Sequence, residues 1–204
     1  LTQGIVRRGS QTIGFAEPIV PSLTATLTGG NLTIVDSDGT GKANALTVSR
    51  VNVSGVDYLQ FADSAHAFVA TPTTSPASLL SNFDRTLRVP VSAITGILTL
   101  DLRGGDEALT LNLSGGDVIP AGGLQFLGGS SEGTTDRLSI VGGHFGDVTH
   151  TYDNATDGNL VSSTLGTILY ADIESVSNRA ALGALTLQLP VTGTTATDAK
   201  SERT

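Results

Sequence analysis

The sequence predicts an all-β protein, wound as a β-solenoid (a parallel β-helix-like stack) with N-terminal hairpins. An antiparallel β-sandwich is the alternative. Three observations predict this class. Short runs alternate Leu, Ile or Val with Thr, Ser or Asn, the period of a strand with one buried face. Paired glycines interrupt these runs at 29-30, 104-105, 115-116, 122-123, 128-129 and 142-143. The strong helix formers Glu, Lys and Gln are scarce, and no stretch has helical periodicity.

In chain order, residues 1–22 read as a mixed N-terminal extension closed by Pro18 and Pro21, with strand character at Ile5-Val6 and Ile13–Phe15. The β-rich module spans 23–193. It begins with "LTATLTGGNLTIVD", where Gly29-Gly30-Asn31 supply the positive φ of a hairpin turn. A second hairpin is expected from Ala45 to Asp63, turning at Ser54-Gly55. Residues 71–86, with two prolines and many hydroxyls, read as a long loop and a place where the module divides. Pro90 lacks a donor and therefore marks an edge or a corner.

From Leu98 the phrase "LTLDLRGGDEALTLNLSGG" writes one strand twice around a glycine pair. Further strand cores fall at Leu109–Leu113, Leu124–Leu127, Leu138–Val141, Val148–Tyr152, Thr167–Tyr170, Ile173–Val176 and Leu185–Leu189. Repeated alternation of this kind suits coils that stack and bury a continuous apolar column. Leu98, Leu100, Leu109, Leu111, Leu138 and Ile140 are its expected core. Residues 194–204 read as a flexible polar tail. The chain of 204 residues contains no Met, which reads as a processed chain or a piece of a longer one.

Composition narrows the function classes. Charged residues make up 15% and apolar residues 39%, with a net charge of −8 and lysine only at Lys42 and Lys200. Nucleic acid, which calls for clustered Lys and Arg, is not an expected partner. No apolar run is long enough for a membrane helix. With no Cys there is neither a disulfide nor thiol chemistry. The excess of Asp is compatible with calcium, a hard cation that takes oxygen ligands.

Candidate metal ligands are Asp36, Asp38, Asp106 and Asp136. "DSDGTGK" matches an EF-hand loop at Asp36, Asp38 and Gly41, but has Thr40 at the fifth position and Thr47 where a bidentate Glu belongs. The same stretch fails as a phosphate loop, with Asp36 for the first Gly and Ala43 for Ser or Thr. "GGSSEGTTDRLSIVGG" carries Asp136 in a stretched version of a calcium-solenoid repeat, and "GGDEAL" carries Asp106 in a shortened one. "GGHFGDVTHTYD" gathers His144, Asp147, His150 and Asp153 without a recognised zinc spacing. No catalytic residues and no cofactor are expected, calcium aside.

The succession of "LTGGNLTIVDSDGTGKANALTVS", the stretch from "NFDRTLRVPVSAITG" to "TDRLSIVGG", and "VTHTYDNATDGNLVSSTLGTILYADIESVSN" resembles the repetitive extracellular region of very large planctomycete-type surface proteins. Those proteins often carry an N-terminal LEPR-XLL export segment. The resemblance covers residues 23–178. It implies a secreted, β-rich, adhesin-like or envelope-structural module and no catalytic residue. The regular "GNDTL" spacing of the calcium repeats is missing here.

The sequence thus leads us to expect a structural module of a secreted bacterial surface protein, not an enzyme, acting in envelope coating, adhesion or filament assembly. Its expected partners are further copies, through terminal strands, and cell-surface polysaccharide. A calcium-dependent carbohydrate-binding module is the alternative. A β-helix enzyme on acidic polysaccharide is disfavoured by the few Lys and Arg.

Overall fold

The computed structural model describes residues 5–8, 11–14, 23–37, 43–71, 78–79, 85–129 and 135–190. The protein is all-β. The described residues form strands and two single-turn 3-10 helices, with no α-helix among them. Ile5–Arg8 (β1) and Gln11–Gly14 (β2) pair antiparallel as a sheet of their own. All other strands belong to one sheet of 14 strands.

Leu23–Thr28 (β3) and Asn31–Asp36 (β4) form the hairpin expected at Gly29-Gly30. Ala45–Val53 (β5) and Val56–Asp63 (β6) form the one expected at Ser54-Gly55. All four turn residues have positive φ, the backbone that a two-residue turn needs to match strand twist. Phe68–Thr71 (β7) lies parallel to β3, while Ser78–Leu79 (β8) and Thr86–Pro90 (β9) extend the sheet beyond β6. Part of the loop expected at 71–86 is therefore strand; residues 72–77 and 80–84 lie outside the described residues. Pro90 ends β9 and leads into a 3-10 turn, Val91–Ala93, the corner that its missing N–H requires.

The remaining strands are Leu98–Asp101 (β10), Ala108–Asn112 (β11), Leu124–Leu127 (β12), Arg137–Tyr152 (β13), Gly158–Ser162 (β14), Gly166–Ala171 (β15) and Ser175–Gln188 (β16). They build two parallel ladders. One runs β4–β10–β12–β15 and the other β5–β11–β13–β16. The chain crosses from the first ladder to the second four times: β4 to β5, β10 to β11, β12 to β13 and β15 to β16. The two Leu-Thr-Leu phrases around Gly104-Gly105 are thus not partners in a hairpin. Each lies in a different ladder, with a corner between them.

Register keeps like residues in rows. Leu32, Leu98, Leu124 and Ile168 align in the first ladder, and Leu46, Leu109 and Leu138 in the second. These rows join one core cluster, to which Phe61, Phe68, Phe126 and Phe145 add the largest buried side chains. The six expected core residues are all buried. Burying a side chain of this size contributes about 1.5–3 kcal/mol.

Two expected strand pairs are each one strand. Leu138–Val141 and Val148–Tyr152 both lie in β13, and Gly142-Gly143 form a bulge inside it, with φ of 67° and 60° and a register shift from Val141 to His144 against β16. Ile173–Val176 and Leu185–Leu189 likewise fall on or beside β16. β14, which the alternation did not show, pairs antiparallel with both β13 and β15 and joins the ladders at this end. β16 pairs only β13 and leaves its other edge open among the described residues. The tail expected at 194–204 lies outside the described residues. No helix among the described residues is long and apolar enough to cross a membrane.

Candidate functional site: an acidic column at the strand starts

The second ladder is extended at its start by side chains. Ala45, Ala108, Arg137 and Ser175 are in register, so the residues before them, Asn44, Glu107, Asp136 and Glu174, stack in a column. The N–H of Asn44 donates to Glu107 Oε2 at 2.8 Å, that of Glu107 to Asp136 Oδ1 at 2.6 Å and that of Asp136 to Glu174 Oε2 at 2.7 Å. In the opposite sense, Ala108 N–H donates to Asn44 O, Arg137 N–H to Glu107 O and Ser175 N–H to Asp136 O. Each acid thus satisfies a backbone donor that has left the strand pairing, a donor that would be costly to bury unpaired.

The column begins in the interior and ends at the surface. Asn44 and Glu107 are fully buried and Asp136 nearly so, while Glu174 is exposed. Asn44 Nδ2 donates to the buried Asp36 at Oδ2, 2.7 Å away. Alongside, Asp63 accepts from the N–H groups of Ala45, Ala65 and His66.

Burial pushes the Glu107 carboxyl up to about 8; hydrogen bonds from Asn44 pull the other way, and the charges of Asp136 and Asp36 add to the rise. Burial also raises Asp136, to about 6, against the hydrogen bond from Glu107 and with repulsion from Glu174, Asp106 and Asp172. Glycine lets the corners pack this closely. A Cβ at Gly128 would strike Asp172 O and Asp136 Oδ2.

Of the candidate ligands, Asp36, Asp106 and Asp136 come to this one corner, Asp106 as an exposed neighbour whose charge acts on Asp136. Asp38 lies outside the described residues. No three His, Asp or Glu side chains among the described residues converge as a metal group on their own. Spacing-based reading missed Asn44, Glu107 and Glu174. The signal was present as an Asn, Glu or Asp directly before "ALTVS", "ALTLN", "RLSIV" and "SVSN" begin their strands.

His150 and His144 stand apart from the column. His150 is buried, with Nε2 2.8 Å from Tyr170 Oη and its ring over Tyr152, and burial pushes its pKa down to about 4. His144 accepts the Gly146 N–H on Nδ1. A cleft of about 330 Å³ lies elsewhere, where Arg50, Ser92, Thr95 and Asp117 border Leu59 and Ile119. Its arginine is tied to Asp57 at 2.6 Å.

Comparison of the chain with protein-family models, curated proteins and solved structures gave no match.

Proposed function

We propose that this chain is a structural module of a secreted bacterial surface protein, wound as a β-solenoid, that serves envelope coating, adhesion or filament assembly through strand pairing and stacking. The four crossings between two in-register parallel ladders support the winding, since stacking of successive coils produces such rows. The observation that carries the assembly role is the last strand. β16 has an open edge among the described residues; Leu185 and Leu187 lie on it at 45% and 44% exposure, and Leu189 follows it at 52%. Open, uncharged edges recruit other strands. A head-to-tail contact of that kind does not close on itself and propagates.

Light scattering across a concentration series tests the role. The expected result is a mass that grows with concentration and falls to one chain when residues 184–204 are deleted. A single-chain mass throughout the high micromolar range overturns it.

The second reading, a calcium-dependent carbohydrate-binding module, draws on the buried carboxylates of the corner. Its test is retention on immobilised polysaccharide with calcium and release by EDTA.

A further inference from the structure

The interior end of the acidic column contains two oxygens without a hydrogen-bond partner. Asn44 Oδ1 and Glu107 Oε1 are both buried, and neither accepts a hydrogen bond among the described residues. They belong to side chains that precede adjacent strands of one ladder, β5 and β11, linked by the Asn44 N–H to Glu107 Oε2. An amide oxygen and a carboxylate oxygen are both acceptors, so neither satisfies the other. Something electropositive must sit with them, and buried polar groups left alone are rare in folded chains.

The neighbours decide what it is. Among the described residues, the charged groups acting on Glu107 are Asp36 and Asp136, both acidic. Asn44 already spends its Nδ2 on Asp36 and its N–H on Glu107. A proton on Glu107 would act on that carboxylate alone, whereas Asn44 links Glu107 to a second carboxylate, Asp36. A divalent cation would neutralise both. The donors are all hard oxygens, two carboxylates and an amide carbonyl, which suit calcium rather than zinc or copper. Magnesium demands near-ideal octahedral geometry, whereas calcium tolerates an irregular set completed by backbone carbonyls and water.

From this geometry we infer that Asn44 Oδ1, Glu107 Oε1 and the Asp36 carboxylate form a calcium site at the interior end of the column. It is separate from the assembly reading, because its donors lie at the start of the second ladder and not on the β16 edge. It is a weak site. With only two carboxylates its dissociation constant belongs in the range of about 10⁻⁴–10⁻³ M typical of extracellular modules. The bound ion ties the corner before β5 to the start of β11.

The test is calcium binding by the full chain, read as melting temperature and by equilibrium dialysis with radioactive calcium. At about 100 times the dissociation constant, calcium should raise the melting temperature by about 5–10 °C over EDTA. Dialysis should find one ion bound in this range. Glu107→Gln should melt in EDTA at or above the parent, because its new amide can donate to Asn44 Oδ1, and should gain nothing from calcium. Should Glu107→Gln fail to fold, Asn44→Ala, which keeps both carboxylates, should bind calcium at least tenfold more weakly by dialysis. Glu174→Gln, at the exposed end, should respond as the parent does. The inference is overturned if the parent binds no calcium, or if the variants at residues 44 and 107 bind it as tightly as the parent.

Discussion

Glu107 is a carboxylic acid with no exposed surface; it accepts the Asn44 N–H, and its own N–H donates to Asp136. Its folded pKa is raised to about 8 and that of Asp136 to about 6, both chiefly by burial. The unfolded values are about 4.3 and 3.9. A raised folded pKa means that the folded state binds the proton more tightly. The stabilisation is then complete below the unfolded pKa and is lost as pH rises through the folded one. His150 acts in the opposite direction: lowered to about 4, it withdraws stability as pH falls below about 6.5. Of these three groups, only the acids contribute between about pH 6.5 and 9, and chiefly Glu107. In EDTA, thermal melts should therefore show stability falling across that window, and Glu107→Gln should flatten most of the fall. A parent whose melting temperature is constant from pH 6.5 to 9 in EDTA would contradict the burial of a titrating Glu107.

At this scale the sequence revealed half of the corner. Asp36 and Asp136 were legible because they stand in loops that resemble calcium motifs. Glu107, Glu174 and Asn44 were not, because their partners are backbone N–H groups of a neighbouring row, brought near only by ladder register. A residue type at a fixed spacing along the chain cannot express a contact between Asn44 and Glu107, 63 positions apart.

At the scale of the element, alternation located the strands and their buried faces well. Leu109 and Leu111 are buried while Thr110 between them is only half-buried. Leu111→Ala should cost about 2–5 kcal/mol by urea denaturation, from lost burial and a cavity. Thr110→Ala should stay below about 1 kcal/mol. Equal costs would place the strand's faces the other way round. Alternation misjudged what glycine pairs do. Gly104-Gly105 turns a corner, whereas Gly142-Gly143 bulges within β13, and the dipeptide is the same. Tertiary contact separates them: a Cβ at Gly143 would strike Leu113 O and Cβ. Gly143→Ala should accordingly destabilise by about 1–3 kcal/mol, combining a strained positive φ with the clash. A neutral Gly143→Ala would mean that the bulge does not pack on Leu113. β14 escaped notice because Leu160 is its only buried large apolar residue, and Val161 faces out.

At the scale of the molecule, the direction of pairing was the hidden variable. The period of two is the same for parallel and antiparallel strands. Connection length distinguishes them. Two-residue turns at 29-30 and 54-55 close hairpins, while residues 102–107 make the longer step that carries β10 to a strand in the other ladder. The ladder that results must end somewhere, and it ends at β16. The inner-facing row of β13 continues sideways from Val148 to Leu185 and from His150 to Leu187. Val148 and His150 are buried, yet their β16 partners are nearly half exposed, so the apolar layer runs past the last covered strand. A lysine at an open edge opposes strand addition by forcing a charge into the new interface. Leu185→Lys with Leu187→Lys should therefore hold the protein at a single-chain mass where the parent associates. Because both side chains are already so exposed, stability should change by less than about 1 kcal/mol per site. Sedimentation velocity and urea melts on the same samples check both halves. Association that persists in the double variant would move the contact away from β16, to β7 or β8, where the sheet ends among the described residues.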